Sequence, residues 1–285
     1  MRRAFLLLLI NSSLCAQTEH TFNDLPFPEP SNDDLNASIL DDSVSIGETS
    51  TLPSLNAKQV AKSHWDYTIG TSYESQYMLR GRQAGYDVMQ TIGVIAHQGA
   101  SFSVWWNQPL DPSDNAVDVP EIDFTLNYSK PITEDVDVSI GGVLQYYPRA
   151  NAIPGAIWGI AGAVEVDSLP ASPTLLYQYI FEMERSEFYF LLDQQFSLEP
   201  IFGDPNVFFE LTANLGYAHQ GDTAYGSKND WAWAMGSAAV GYRFLDQQLE
   251  VKAGPNFATN NDGAANNIAG RENNVWLSIS ADYSF

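Results

Sequence analysis

The chain has 285 residues, of which 45% are hydrophobic and 13% aromatic, and only 17% are charged, against about 25% in an average soluble protein. Its formal net charge of −22 repels nucleic-acid phosphates, so we expect no nucleic-acid partner. Because Cys15 is the single cysteine, an intramolecular disulfide is excluded. Low charge and many aromatics are typical of a membrane β-barrel and also of a secreted β-sandwich, and composition does not choose between them.

The first 63 residues predict a leader rather than a folded domain. Residues 1–16 combine two early arginines, an apolar run and the small residue Ala16, which predicts a secretory signal peptide. The apolar run is too short to span a bilayer as a helix. Cys15 follows the bulky Leu14, where lipoprotein signals usually carry a small residue, and this argues against lipidation. Residues 17–63 are polar, acidic and interrupted by prolines, which predicts a disordered segment.

From residue 64 to residue 285 the sequence alternates between apolar and polar residues. In the first predicted strand, Tyr67, Ile69 and Tyr73 share one face, whereas Asp66 and Glu74 share the other. Twelve such segments recur, each close to the roughly 9–11 residues that a tilted membrane strand needs. The predicted strands are 65–80, 86–97, 100–110, 122–128, 136–146, 156–167, 174–182, 187–198, 207–217, 231–244, 249–257 and 274–285.

The last predicted strand ends in two aromatic residues on its apolar face, Tyr283 and Phe285. This ending resembles the C-terminal strand of outer-membrane barrels, whose apolar face contacts lipid. We therefore predict that Tyr283 and Phe285 form a signal for the barrel-assembly machinery. We also expect this strand to pair with the strand that begins at Trp65, which would leave no free sheet edge.

The lengths of the connections add an independent pattern. With two exceptions, 183–186 and 199–206, long connections alternate with short ones, as outer-membrane barrels require. The longer ones include 111–119, 219–229 and 259–273, and the short ones include 98–99 and 245–248. We therefore predict an all-β protein, a closed antiparallel transmembrane β-barrel of about twelve strands in the bacterial outer membrane, contacting its lipid. A secreted soluble β-protein remains an alternative.

Two segments resemble the TorF-type porin family of bacterial outer membranes. Tyr77-Met78-Leu79-Arg80-Gly81 is similar to the family's Tyr-x-x-Arg-Gly signature, and residues 100–107, Ala-Ser-Phe-Ser-Val-Trp-Trp-Asn, are similar to its third strand. The similarity of pattern extends over about 65–285. Departures are the long acidic leader and the bulky Phe102. The resemblance implies a β-barrel and passive diffusion of small solutes, and it implies no binding site.

Candidate residues for chemistry are few. Of the four histidines, only His219 lies at a predicted extracellular rim, and its neighbours Asp222 and Thr223 match no catalytic spacing, so we expect no enzyme. Segment 111–118 and segment 260–267 are rich in oxygen ligands, but they lack the order and glycine of an EF-hand loop. We predict neither a dedicated metal site nor a cofactor.

The main functional prediction rests on charged residues at lumen-facing positions. Isolated charges are costly in a dry interior, so they indicate either a wet, cation-preferring path or a narrow lumen in which acids and bases pair as struts. We predict a porin-like channel for small solutes, with cation preference. The alternative is a non-conducting structural or adhesive barrel that binds ligands or divalent ions through acidic loops. The lumen candidates are Asp66, Glu74, Arg80, Asp123, Asp137, Asp193, Glu210, Arg243, Glu250, Lys252 and Asp282.

Overall fold

A computed structural model describes residues 65–79, 82–110, 120–148, 156–220, 230–261 and 272–285. The predicted leader at residues 1–63 lies outside the described residues. The strands in chain order are β1 (Asp66–Glu74), β2 (Tyr77–Leu79), β3 (Arg82–Gly85), β4 (Val88–His97), β5 (Ala100–Pro109), β6 (Glu121–Pro131), β7 (Val136–Tyr146), β8 (Ala156–Val166), β9 (Thr174–Ile180), β10 (Arg185–Ser197), β11 (Val207–Gln220), β12 (Asp230–Phe244), β13 (Leu249–Asn260) and β14 (Asn273–Ser284).

Twelve of these strands form one closed antiparallel barrel. The order around the barrel is β1-β14-β13-β12-β11-β10-β9-β8-β7-β6-β5-β4, and β4 pairs with β1 to complete the circle. Barrel strands that follow one another along the chain therefore lie side by side, and the pair β1–β14 joins the first barrel strand to the last. This is the arrangement expected for strands joined by simple reversals of the chain. The predicted all-β barrel of twelve strands is confirmed.

The alternation of residue types sorts the side chains between the two faces of the wall. On β6, Leu126 and Tyr128 are 64% and 50% exposed on the outside, whereas Asp123 is fully buried on the inside. Because successive side chains of a strand point to opposite faces, one apolar and one polar face follow directly from the sequence. The result is an apolar outer surface around a polar interior, the pattern of a transmembrane barrel.

The two ends of the chain meet at the seam of the barrel. Thr68 lies opposite Ser284 and Gly70 lies opposite Asp282 in the register of β1 and β14. The Tyr67 N–H donates to the Phe285 carbonyl at 3.1 Å, and the Phe285 N–H donates back to the Tyr67 carbonyl at 3.0 Å. The two aromatic rings stack with their centroids 5.4 Å apart. The seam therefore pairs both edge strands, as the sequence predicted.

Several connections are tight. Gln98 and Gly99, between β4 and β5, have φ values of 50° and 85°, and two positive φ values fit a two-residue type I′ turn. Between β10 and β11 the chain forms one short helix, α1 (Glu199–Phe202), which the sequence reading placed in a plain connection. Within the described part of the chain, no helix is both long and apolar enough to cross a membrane.

One element departs from the predicted arrangement. The sequence reading treated residues 77–81 as the end of the first strand, but β1 ends at Glu74 and the chain then forms a separate two-stranded sheet, β2–β3. The side chains of Tyr77, Met78 and Gln83 are almost fully buried, at 2%, 1% and 2% exposure. This hairpin is therefore packed against the interior rather than extending the barrel wall.

Candidate functional site: the barrel lumen

The predicted lumen residues lie on the inner face of the wall wherever the structure describes them. Arg80 lies outside the described residues. The other ten share their face with buried polar neighbours, and a role of these residues in permeation stays a prediction. These ten are Asp66, Glu74, Asp123, Asp137, Asp193, Glu210, Arg243, Glu250, Lys252 and Asp282.

Other inner-face charges were missed by the sequence reading. Glu121 and Glu165 occupy inward positions of β6 and β8, and Arg185 and Glu187 occupy inward positions of β10. The alternation of polar and apolar residues could have identified Glu121 and Glu165 as inward residues. Arg185 was hidden because residues 183–186 were assigned to a connection, whereas β10 already begins at Arg185.

A cluster of charged side chains lies at the end of the barrel that carries Trp65 and Phe285, here called the terminus-side end. Lys252 Nζ lies 3.1 Å from Glu210 Oε1 and 3.5 Å from Glu250 Oε1. Arg243 Nε lies 3.1 Å from Glu250 Oε2. Adjacent positions on β12, β13 and β14 bring these groups together, since Glu250 lies opposite both Arg243 and Asp282. We call Gln195, Glu210, Arg243, Glu250, Lys252 and Asp282 the charged cluster.

The charged cluster is linked by hydrogen bonds as well as by ion pairs. Gln195 Nε2 donates to Glu210 Oε2 at 3.1 Å, and Arg243 donates to the Gln195 side-chain carbonyl. Lys252 and Glu210 are each 5% exposed, whereas Glu250 is 21% exposed. Because a buried charge is tolerated only with partners, this network accounts for the charges that the sequence places inside the wall. Glu250 forms the more exposed edge of this network.

A second cluster, of apolar side chains, fills the lumen from the opposite, loop-side end toward the middle. Its large members include Met78 of β2, Trp231 and Trp233 of β12, and Trp276 of β14. It also reaches β8, which is six strands away from β14 in a ring of twelve. Its members lie on each of the seven neighbouring strands from β14 to β8, so the cluster lines one side of the lumen. The apolar cluster comprises Met78, Ala163, Leu176, Tyr189, Leu191, Ala218, Trp231, Trp233, Met235, Ala258 and Trp276.

Three features of the wall position these rings. Gly216 lies beside Trp233 on the neighbouring strand, and a Cβ at Gly216 would fall 2.0 Å from two atoms of the Trp233 ring, so only glycine leaves the space. The Tyr189 and Trp233 rings meet edge to face with centroids 5.3 Å apart. Trp276 Nε1 donates to Glu74 Oε2 at 2.6 Å, which gives this inward carboxylate of β1 a partner.

Glu121 anchors the hairpin to the wall. Its two carboxylate oxygens accept hydrogen bonds from Tyr77 of β2, at 3.2 Å, and from Tyr147, just after β7, at 2.8 Å. Burial, then the charge of Glu121, raise the pKa of the Tyr147 hydroxyl well above its ordinary value, so Tyr147 remains a donor. One buried carboxylate thus holds both the wall and the inward hairpin.

Beside the apolar cluster lies a buried pair of opposite charges. Arg185 forms an ion pair with Glu187, and the hydroxyl of Tyr189 donates to Glu187 at 2.5 Å. The Arg185 guanidinium also lies 5.9 Å from the centre of the Trp231 ring, within cation–π range. These contacts tie the loop-side end of β10 to the tryptophans of β12.

A polar cavity that is partly open to solvent lies between the two clusters. Its polar lining includes Glu74, Glu210, Lys252, Asn256, Ser278 and Ser280. The middle of the lumen therefore offers carboxylate, ammonium, amide and hydroxyl groups within one space.

The predicted rim histidine faces outward and is not part of the lumen. His219 Nδ1 lies 2.7 Å from Asp230 Oδ1, and the Tyr217 hydroxyl donates to the same oxygen at 2.7 Å. The positions discussed with it in the sequence, Asp222 and Thr223, lie outside the described residues. So does segment 111–118, and no metal-binding group of three or more His, Cys, Asp or Glu side chains occurs among the described residues.

Comparisons with known proteins return structures rather than sequence relatives. No family model matches the chain, and no curated protein matches it. Among solved structures, the KdgM porin has a TM-score of 0.49 at 10% identity, over 76% of this chain and 99% of that one. The NanC porin has a TM-score of 0.47 at 11% identity, over 78% and 99%. An outer membrane channel from Pseudomonas putida F1 has a TM-score of 0.46 at 9% identity, over 78% and 95%.

The TorF-type resemblance is not confirmed by these comparisons. At identities of 9–11%, the similarity to these structures concerns the fold alone.

The described lumen is strongly acidic in composition. Eleven carboxylates and three basic groups occupy its inner face within the described residues. The carboxylates are Asp66, Glu74, Glu121, Asp123, Asp137, Glu165, Glu187, Asp193, Glu210, Glu250 and Asp282, and the basic groups are Arg185, Arg243 and Lys252.

Proposed function

We propose that this chain is a bacterial outer-membrane channel for small solutes, with a preference for cations. The observation that supports it best is the closed barrel itself, with an apolar outer face and a polar, acid-rich inner face. A closed barrel satisfies all backbone hydrogen bonds between its strands, which is what a bilayer demands of a strand protein. Lipid would cover exposed side chains such as Leu126, Ile140 and Val275.

The cation preference is argued from the charge of the lumen. Rings of carboxylates lower the energy of a cation in a pore and raise that of an anion. The excess of inner-face acids over bases acts in this direction, and Glu250 lies at the more exposed edge of the charged cluster, where entering ions could meet it. The solutes would be small, because the apolar cluster occupies the loop-side part of the lumen.

Planar-bilayer recording of the refolded barrel tests this proposal. We expect small single-channel steps, and a reversal potential under a KCl gradient that favours K⁺ over Cl⁻. Glu250→Gln should reduce that selectivity, whereas Glu199→Gln, an exposed acid on α1 at the same end, should leave it unchanged. Conductance no greater than that of protein-free detergent would overturn the channel proposal and leave the barrel intact.

The packing of the lumen favours one alternative, a non-conducting structural barrel. Glu121, Asp123 and Glu187 are each at most 1% exposed, so solvent does not reach them in this conformation. The bilayer recording separates the two functions, since only a channel gives steps. The adhesive variant of this alternative relied on the loop at 111–119, which lies outside the described residues.

A further inference from the structure

We propose that the polar cavity of the lumen binds one monovalent cation, such as Na⁺ or K⁺, through the side chains of Asn256, Ser278 and Ser280. All three residues line the cavity, Asn256 from the inner face of β13 and the two serines from the inner face of β14. The cavity is partly open to solvent, so an ion can reach it. This inference goes beyond the proposed function, because a barrel that does not conduct can still hold an ion in its lumen.

The cavity lies beside an interruption in the pairing of two wall strands. β12 and β13 pair at Ser237–Asn256 and again at Val240–Ala253, and the two positions between them on each strand are skipped. One skipped residue is Pro255, which has no backbone N–H to donate to β12. Three skipped residues, Pro255 among them, line the cavity, so the space belongs to this local irregularity of the wall.

A glycine keeps the space between the charged cluster and Asn256 free of side chains. Gly254 lies between Lys252 and Asn256 on the inner face of β13. A Cβ at Gly254 would fall 2.0 Å from the Ala238 carbonyl oxygen, so only glycine fits this position. The Lys252 ammonium and the Asn256 amide consequently face one cavity, with no side chain between them on their own strand.

Asn256 supplies a buried acceptor that needs a partner. The residue is 2% exposed, and its Nδ2 donates to the Ser278 hydroxyl at 2.9 Å. Its Oδ1 accepts no hydrogen bond from the described residues. Because a buried carbonyl oxygen without a partner is costly, a cation or a donor group beside it is stabilised.

The charges around the cavity favour a cation as that partner. The adjacent charged cluster holds three carboxylates, Glu210, Glu250 and Asp282, against two bases, Arg243 and Lys252. This excess of negative charge lowers the energy of a nearby cation and raises that of an anion.

The oxygens that can contact the ion directly are neutral, which favours a monovalent ion. Glu210 of the cavity lining already accepts hydrogen bonds from Lys252 at 3.1 Å and from Gln195 at 3.1 Å. Glu74, the other carboxylate of the described lining, accepts a hydrogen bond from Trp276. The amide and hydroxyl oxygens then replace hydration water, as carbonyl oxygens do for K⁺ in channel filters, whereas Ca²⁺ would take carboxylate oxygens directly.

Urea unfolding in phospholipid vesicles tests the site without measuring transport. The refolded barrel is unfolded at pH 8 and constant ionic strength while NaCl or KCl replaces choline chloride. An ion that binds only the folded barrel raises the unfolding midpoint as its concentration rises, and this dependence gives its affinity. We expect the rise in the native barrel and a loss of affinity of about tenfold or more in Asn256→Leu. Asn256→Asp should bind the ion several-fold more tightly, because it places a negative charge at the carbonyl position.

Asn127→Leu is the matched control, since Asn127 is a buried inward asparagine of β6, five strands away from β13 around the barrel. It should keep the ion dependence of the native barrel. A midpoint that does not depend on Na⁺ or K⁺, or a dependence that Asn256→Leu leaves unchanged, would overturn the site. So would an Asn256-dependent response that appears with CaCl₂ and not with NaCl or KCl, since it would assign a divalent ion.

Heat-modifiable migration in gels first shows that each variant is a folded barrel. If Asn256→Leu is not folded, Asn256→Asp decides, and an unchanged affinity in that variant overturns the site.

Planar-bilayer recording separates this site from the channel. Ion binding that depends on Asn256 in a barrel without conductance overturns the channel and keeps the site. Conductance in a native barrel whose stability does not respond to Na⁺ or K⁺ overturns the site and keeps the channel.

Discussion

The two ends of the lumen are filled by different kinds of side chain, charged at the terminus-side end and apolar at the loop-side end. At the terminus-side end, Glu210 and Lys252 lie 3.1 Å apart inside a network of charges, and Glu250 opens toward solvent. At the loop-side end, Trp231, Trp233 and Met78 pack as an apolar core. In the proposed channel, the charged end is the one that would act on permeating ions. The two ends therefore differ in the kind of interaction that fills them, ion pairs at one and apolar packing at the other.

The difference also predicts how each end responds to substitution. A buried charged network loses much of its stability when one partner is removed, because the remaining charges are left buried without compensation. Substitutions in an apolar cluster lower stability by a smaller amount, which depends on the buried area and the hydrogen bonds that are removed. Three substitutions test this contrast, the largest expected effect first.

Lys252→Met should give the largest loss of stability. It leaves Glu210, Glu250 and Asp282 near one another without their shared cation, and removing one partner of a buried pair costs about 3–5 kcal/mol. The measurement is guanidinium unfolding of the barrel in phospholipid vesicles. Lys130→Met, at an exposed outer position of β6, is the control and should leave the unfolding midpoint unchanged.

A second variant sharpens this result. Glu210→Gln combined with Lys252→Met removes opposite charges together, so it should be more stable than Lys252→Met alone. If Lys252→Met unfolds at the same denaturant concentration as the native barrel, the charged cluster does not stabilise the terminus-side end, and the contrast between the two ends fails.

Trp276→Phe should have a smaller effect at the loop-side end. Phenylalanine keeps an aromatic ring in the apolar cluster but removes the Nε1 donor that lies 2.6 Å from Glu74. A hydrogen bond to a charged group contributes about 1.5–3 kcal/mol. Trp158→Phe, on the outer face of β8 at 54% exposure, is the matched control. Equal losses of stability in the two variants would show that the hydrogen bond from Trp276 to Glu74 does not stabilise the barrel.

The wall of this barrel could be predicted from the sequence, and the contents of its lumen only in part. A period of two decides which face Leu126 and Asp123 occupy, so all twelve barrel strands and the seam follow from local pattern. That Lys252 lies inside also follows. Its pairing with Glu210, 42 positions away in the chain, does not, because β12 separates their two strands and only the three-dimensional register brings them together.

The hairpin is the clearest case of what local pattern cannot give. Residues 77–79 continue the alternation of β1, and alternation alone predicts a longer strand. Their inward turn is accompanied by interactions that are distant in sequence: Tyr77 donates to Glu121, and Met78 joins the apolar cluster. The ion pairs of the charged cluster fit the sequence-based hypothesis of a strut-filled lumen, and the wet, cation-preferring path stays a prediction.

Phe285→Ala should have the smallest effect on the finished barrel and a larger one on its assembly. Both lumen ends depend on the seam, where the Phe285 ring stacks on Tyr67, but the paired backbone bonds remain when the side chain is removed. Aromatic stacking of this kind contributes about 0.5–1.5 kcal/mol, so unfolding in vesicles should shift only slightly. In cells, the heat-modifiable form in the outer-membrane fraction should fall several-fold if the aromatic end is read by the assembly machinery.

Phe257→Ala provides the control for that variant. It removes an outward phenylalanine of similar exposure, 45% against 56%, from β13 rather than from the chain end. Both variants lose a lipid-facing ring, so a loss of assembly specific to Phe285→Ala assigns the effect to the terminal position. An equal loss of assembly in both variants would assign the effect to the lipid-facing surface. The terminal phenylalanine would then have no separate role in assembly, and the seam would only pair the strands that close the barrel.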